Sequence, residues 1–163
     1  SGEIVPCQIT GCSKGTAGSP GELKGRFLSA HAIGTIRING ENGVYGSTRA
    51  RFAGQKMEVA FAQEVEAGDA EIWTTTSGET PRAYRVKIEK ISDADPRRNM
   101  VLRVVDRELL AQTGGIVQGM SGSPVVQNGR LVGAVTHVLV NDPTRGYGIF
   151  AQTMLEQAER VTE

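Results

Sequence analysis

The sequence lacks several things that would steer a functional reading elsewhere. Its 163 residues carry 18 basic and 18 acidic side chains, so there is no surplus of either sign. Without a basic surplus the electrostatic case for nucleic acid or an anionic membrane is missing. No apolar run is long enough to span a bilayer, and no signal-peptide pattern opens the chain. Internal repeats and low-complexity tracts are absent. There are two cysteines and two histidines in all. No second cysteine pair or paired histidine accompanies Cys7 and Cys12, which argues against zinc, and no other metal or organic cofactor is indicated. A hairpin between those two cysteines would permit a disulfide. Nothing else marks a disulfide scaffold, so two free thiols near a strand end is the preferred reading.

What is abundant is glycine, at 21 residues. Many glycines with few long apolar-periodic stretches favour short strands and many turns. The length suits one domain, residues 1–163, with a modest core. The chain opens abruptly in a strand-like segment, so a fragment or processed form is expected. Strands are predicted at 4–9, 26–29, 56–65 and 100–105, with a hairpin from 70–76 and 82–91 around Ser77-Gly78-Glu79. Asn39-Gly40 and Asn42-Gly43 signal tight turns. Residues 106–112 predict one or two helical turns stopped by Gly114-Gly115. The strongest hairpin joins 125–127 to 131–140 through Asn128-Gly129, and 154–161 predicts a closing helix. Many short strands with one terminal helix argue for a β-barrel or sandwich.

The most informative stretch is Gly119-Met120-Ser121-Gly122-Ser123-Pro124. A serine between two glycines, closed by proline and followed by a strand pair, is the pattern of a trypsin-like nucleophile loop. Its backbone can turn the N–H groups of Gly119 and Ser121 toward one spot beside the hydroxyl, where a carbonyl under attack develops negative charge. Gly119 matters because a β-carbon would resist the conformation such a loop demands. The α/β-hydrolase elbow does not fit, since position 123 is serine and no helix pattern follows. A plain Gly/Ser-rich turn between strands is the alternative. Ser123, which precedes Pro124, is the fallback nucleophile.

At this point a family resemblance becomes specific. The run from Thr113-Gly114-Gly115-Ile116-Val117-Gln118 through the serine loop resembles the stage IV sporulation protein B peptidases. So do Gly133-Ala134-Val135-Thr136-His137-Val138, Val140-Asn141-Asp142-Pro143-Thr144-Arg145-Gly146-Tyr147-Gly148, and the earlier Lys14-Gly15-Thr16 with Pro20-Gly21-Glu22. The similarity covers essentially the whole chain. It implies a trypsin-like double β-barrel, truncated at its N-terminal part and ending in a short helix. It also implies a serine endopeptidase acting in signalling during endospore formation. Family members are exported into the space between the two membranes of the developing spore. There they cut themselves and a regulator of a membrane-embedded protease, so the implied partners are protein or peptide substrates, with no nucleic acid.

Carried over by motif, Ser121 matches the family nucleophile and Asp106 the triad aspartate, which would orient and stabilise an imidazolium. The residues alone also suit Asp106 as a helix N-cap before Arg107-Glu108-Leu109. The family histidine sits in a Gly-His motif upstream of the segment matching Gly2 to Val5, so this chain is expected to lack its base and to be inactive alone. His31 does not sit in that motif and reads as an ordinary loop or strand histidine. His137 shares a strand face with Val135 and Leu139 if alternation holds. It either lines a subsite or is a hydrogen-bonded core residue.

Thr136, His137, Gly146 and Tyr147 are the predicted substrate-binding positions. Residues 115–118 and a Gly146-Tyr147-Gly148 turn would wall the first subsite. With Ile116, Val117 and Tyr147 lining it and no acid at its base, small or apolar side chains are expected. A catalytically silent β-barrel module, binding an extended peptide by strand addition along 131–140, is the competing class.

Overall fold

The computed structural model describes residues 2–161. Its elements are β1 (Gly2–Ile4), β2 (Cys7–Ser13), β3 (Glu22–Phe27), β4 (Gly34–Gly40), β5 (Gly43–Thr48), β6 (Gly68–Thr74), β7 (Arg82–Ile91), β8 (Met100–Val104), α1 (Arg107–Thr113), β9 (Pro124–Gln127), β10 (Arg130–Leu139), β11 (Asp142–Phe150) and α2 (Ala151–Glu159). The chain is mostly β, with one closed barrel among the described residues. Strands β6 to β11 close into a six-stranded antiparallel barrel, in the order β10-β11-β8-β7-β6-β9. The N-terminal strands form two small sheets, β1-β4-β5 and β2-β3.

Alternation builds the barrel. On β7, Tyr84, Val86 and Ile88 are buried while their neighbours face solvent. Across the ladders Val86 opposes Ala70 on β6 and Ile88 opposes Leu102 on β8. Ile72 meets Val125 where β9 completes the ring. Full closure leaves these six strands no unpaired sheet edge along their hydrogen-bonded length. Asn128 and Gly129 both take positive φ, 52° and 73°, in the two-residue turn joining β9 to β10. That is the geometry Asn-Gly favours.

Several boundaries depart from expectation. The 4–9 strand divides around Pro6, which cannot donate to a ladder. Residues 56–65 do not form a strand. Only Val59 bridges, in parallel with Leu131, before a 3-10 turn at Ala62–Glu64. Met57 and Phe61 remain 40% and 62% exposed, so the alternating pattern there has no sheet to join. The Gly146-Tyr147-Gly148 segment is not a turn but the middle of β11. The closing helix begins at Ala151 because β11 runs directly into it.

Cys7 and Cys12 lie on one strand, not across a hairpin, and both are free thiols. Five residues of extended chain separate their Cα atoms by roughly 16 Å, well past disulfide reach.

Candidate active site

The serine loop is held from three directions. α1 ends at Gly114, which takes a left-handed φ of 76° and donates its N–H to Leu110 O. Beyond it, Ile116 N donates to Pro143 O at 2.8 Å. The β2–β3 region clasps the other side. Gly15 N donates to Thr113 O (2.9 Å), Gln118 N to Gly21 O (2.9 Å) and Leu23 N to Gln118 O (2.8 Å). After the serine, Gly122 N donates to Val135 O and Val135 N to Ser123 O, at 2.8 and 2.9 Å, which tie the loop to β10.

Within the loop, Gly119 has φ +98° and Gly122 φ +88°, backbone that residues with a β-carbon rarely adopt. A Cβ on Gly119 would lie 3.0 Å from Leu23 Cβ. Met120 turns inward, with a fully buried side chain and its N–H given to Val117 O at 3.1 Å. Among the described residues, the flanking N–H groups of Gly119 and Ser121 are given to no carbonyl. Ser121 itself is exposed. Its Oγ donates to Thr136 O at 2.7 Å. That carbonyl can accept a hydrogen bond but cannot take the proton away, so in this rotamer the hydroxyl is not activated. Thr136 Oγ1, in contrast, is buried with no partner among the described residues.

The structure gives Asp106 the capping role. Oδ1 accepts from Glu108 N (3.0 Å) and Leu109 N (3.2 Å), while Oδ2 accepts from Arg85 N (3.2 Å). Partial burial pushes the carboxyl up. The N–H donors of Arg85, Leu109 and Glu108, with the Arg85 charge, outweigh that and hold it below its ordinary value. No hydrogen bond joins Asp106 to Ser121, and neither histidine bonds to either of them among the described residues. His31 is exposed and engages Ser29, whose Oγ lies 3.2 Å from its Nδ1.

His137 does not share a face with Val135. A bulge between them breaks the alternation, leaving Val135 buried at 1% and His137 in solvent. His137 pairs across β10–β11 with Tyr147. The first-subsite walls also differ from expectation. Ile116 and Val117 belong to the core at 1% and 2% exposure, so they do not line an open pocket. A Cβ on Gly146 would fall 2.6 Å from Ile116 Cδ1, so Ile116 fills the space Gly146 leaves. Would-be β-carbons on Gly146 and Gly148 point at the core residues Ile116, Met100 and Leu102, and Tyr147 between them faces outward. The Arg98 guanidinium covers its ring at 4.9 Å.

Two groups beside the serine have no counterpart in the sequence reading. One is the cavity wall made by Cys7, Ile9 and Trp73. The other is the β2–β3 clasp on residues 113–118. Trp73, the sole tryptophan, standing at a strand end was the available signal.

An exposed serine whose own amide and that of Gly119 are both unengaged, carried on a closed six-stranded barrel, places the chain in the serine-peptidase class with trypsin-like architecture. The sequence model of the SpoIVB peptidase S55 family matches residues 1–155, and the chain belongs to that family. No curated protein matches it by sequence. Among solved structures it is similar to the inactive form of a serine-to-alanine mutant of Rv3671c from M. tuberculosis H37Rv. That likeness has a TM-score of 0.55 at 16% identity and covers 88% of this chain and 70% of the other, so it speaks to the fold.

Proposed function

We propose that this chain is a serine endopeptidase of sporulation signalling, with Ser121 as nucleophile and the N–H groups of Gly119 and Ser121 as its oxyanion hole. The observation that carries the reading is the pairing of an exposed hydroxyl with two unengaged amides, while the amide between them is turned back to Val117. The acyl half of a peptide lies along β10 past Val135. There the backbone ties of the serine loop to the strand have ended, leaving only Ser121 Oγ on Thr136 O, and β11 occupies the other edge. Thr136, His137 and Val138 border that half. Because Ile116 fills the space against Gly146, the residue before the cleaved bond is small.

The general base is a histidine from outside residues 1–163. Its arrival pulls the Ser121 proton from Thr136 O, and a carboxylate accompanying it would satisfy Thr136 Oγ1. In that arrangement Asp106 supports the loop through its cap on α1. The family's substrates, the protein itself and a regulator of a membrane-embedded protease, are carried over with its site of action between the two membranes of the developing spore.

The test is covalent labelling of Ser121 by a peptidyl phosphonate. The chain alone should label negligibly. A chain extended at its N-terminus to include the Gly-His motif should label readily, and Ser121→Ala should abolish the label. Rapid labelling of the short chain would refute the external base. No labelling of either form would sink the peptidase reading.

A second reading has its own support, because the Ser121 proton is engaged by Thr136 O and a strand edge lies open beside it. On that reading the barrel binds extended peptide by strand addition without cutting it. Tight peptide binding by an extended chain that resists the phosphonate would favour it.

A further inference from the structure

An open cavity of about 300 Å3 lies on the flank of the serine loop away from β10. The loop itself forms the floor through Gly119, Gly122 and Ser123. Cys7 and Ile9 of β2, Leu23 of β3 and Trp73 of β6 supply apolar walls, and no residue of β10 or β11 touches it. The walls are braced. Ile9 N donates to Gly78 O and Gly78 N to Ile9 O, at 2.8 and 2.9 Å, which joins β2 to the β6–β7 turn. Trp73 keeps 39% of its surface in solvent, so a large ring is available to a ligand. The one charged lining residue is Glu79.

A peptide crossing Ser121 has two halves. If the acyl half follows β10, the amine half must leave over the opposite flank. We propose that this cavity binds the side chain of the residue immediately after the cleaved bond, and that this side chain is apolar. Glu79 at the wall disfavours an acidic one. The proposal rests on Ser121 being the nucleophile. It assigns the leaving-group preference to Trp73 of β6 and to Ile9 and Cys7 of β2.

The experiment uses the Ser121→Ala chain, so that nothing is turned over, and hexapeptide amides of alanine carrying leucine, phenylalanine or aspartate at the fourth position. Two signals report on the cavity: Trp73 emission and the alkylation rate of Cys7 by N-ethylmaleimide. Cys12 lies on the same strand outside the cavity, and burial pushes its thiol pKa up, so it serves as the internal control. At millimolar peptide, leucine and phenylalanine should shift Trp73 emission and slow Cys7 alkylation at least fivefold, leaving Cys12 unchanged. Aspartate should do neither, and Trp73→Ala should remove the Cys7 protection. Equal effects from leucine and aspartate, or none from any peptide, would overturn the assignment. Phosphonate labelling of the extended, unmutated chain separates the two claims. Labelling without Cys7 protection overturns the cavity assignment alone, whereas protection without labelling shows a peptide site that serves no leaving group.

Discussion

The two halves of this molecule solve the burial problem differently. From β6 onward the chain closes a ring, and nearly all the fully buried side chains come from it, among them Ile72, Tyr84, Leu102, Val125 and Ile149. Residues 2–48 make open sheets in which Tyr45 is the one buried large apolar side chain. Ile4, Phe27, Leu28, Ile38 and Val44 stay substantially exposed. A closed barrel satisfies its backbone without outside help. A two- or three-stranded sheet has edges and one uncovered face. Stability therefore resides in one half, while the other serves as a brace, its β2–β3 region holding the serine loop in place.

Several substitutions would break or sharpen this contrast. The largest effect is expected in the ring. Leu102→Ala should cost about 2–5 kcal/mol, read by urea denaturation, because it leaves a cavity in a fully buried layer. Next comes the junction. Gly115 has φ +136°, and a Cβ there would sit 2.1 Å from Pro143 O. Gly115→Ala should cost about 1–3 kcal/mol of strain and displace the loop, so in the N-terminally extended chain Ser121 labelling should fall more than stability does.

Asp106→Ala should cost about 1 kcal/mol through loss of the α1 cap. Asp106→Asn retains a capping oxygen, so labelling of the extended chain that collapses in the Asn variant while stability holds would place Asp106 in the catalytic group. The sign with pH follows from its carboxyl lying lower in the folded chain than the ordinary 3.8. Its contribution is complete above about pH 4. It is lost as pH falls through the folded-state value, so wild type and Asp106→Ala should converge in acid. The smallest effect is expected in the open sheets, where Phe27→Ala, at 77% exposure, should change stability by less than about 0.5 kcal/mol. A loss matching that of Leu102→Ala would show that these sheets share the ring's core. Amide exchange should follow the same order, with β4 and β5 opening well before β7 and β8.

Much of this division was legible in the residues, and the failures have physical causes. The β6–β7 hairpin, the Asn128-Gly129 turn and the Gly114 stop each rest on local chemistry, and each stands where the pattern put it. The serine loop was legible for the same reason. Strand β11 was hidden because Gly146-Tyr147-Gly148 reads as a turn. Those glycines are needed there because β10 passes so close that a Cβ on Gly146 would meet His137 O at 2.6 Å. The bulge beside His137 is a register event between strands, which a single-strand periodicity does not contain. Asp106 carried two readings. The residues alone favoured the cap, and the contacts agree.

Met120 has a consequence for control. The residue next to the nucleophile is rooted in the ring's interior at 0% exposure, and its amide is already spent on Val117. Reshaping the serine's surroundings would mean unpacking the most stable layer of the molecule. Switching by melting and re-forming the loop is thereby made costly; under the proposed function, control then falls to what is delivered to the hydroxyl, with the loop kept as a standing mould.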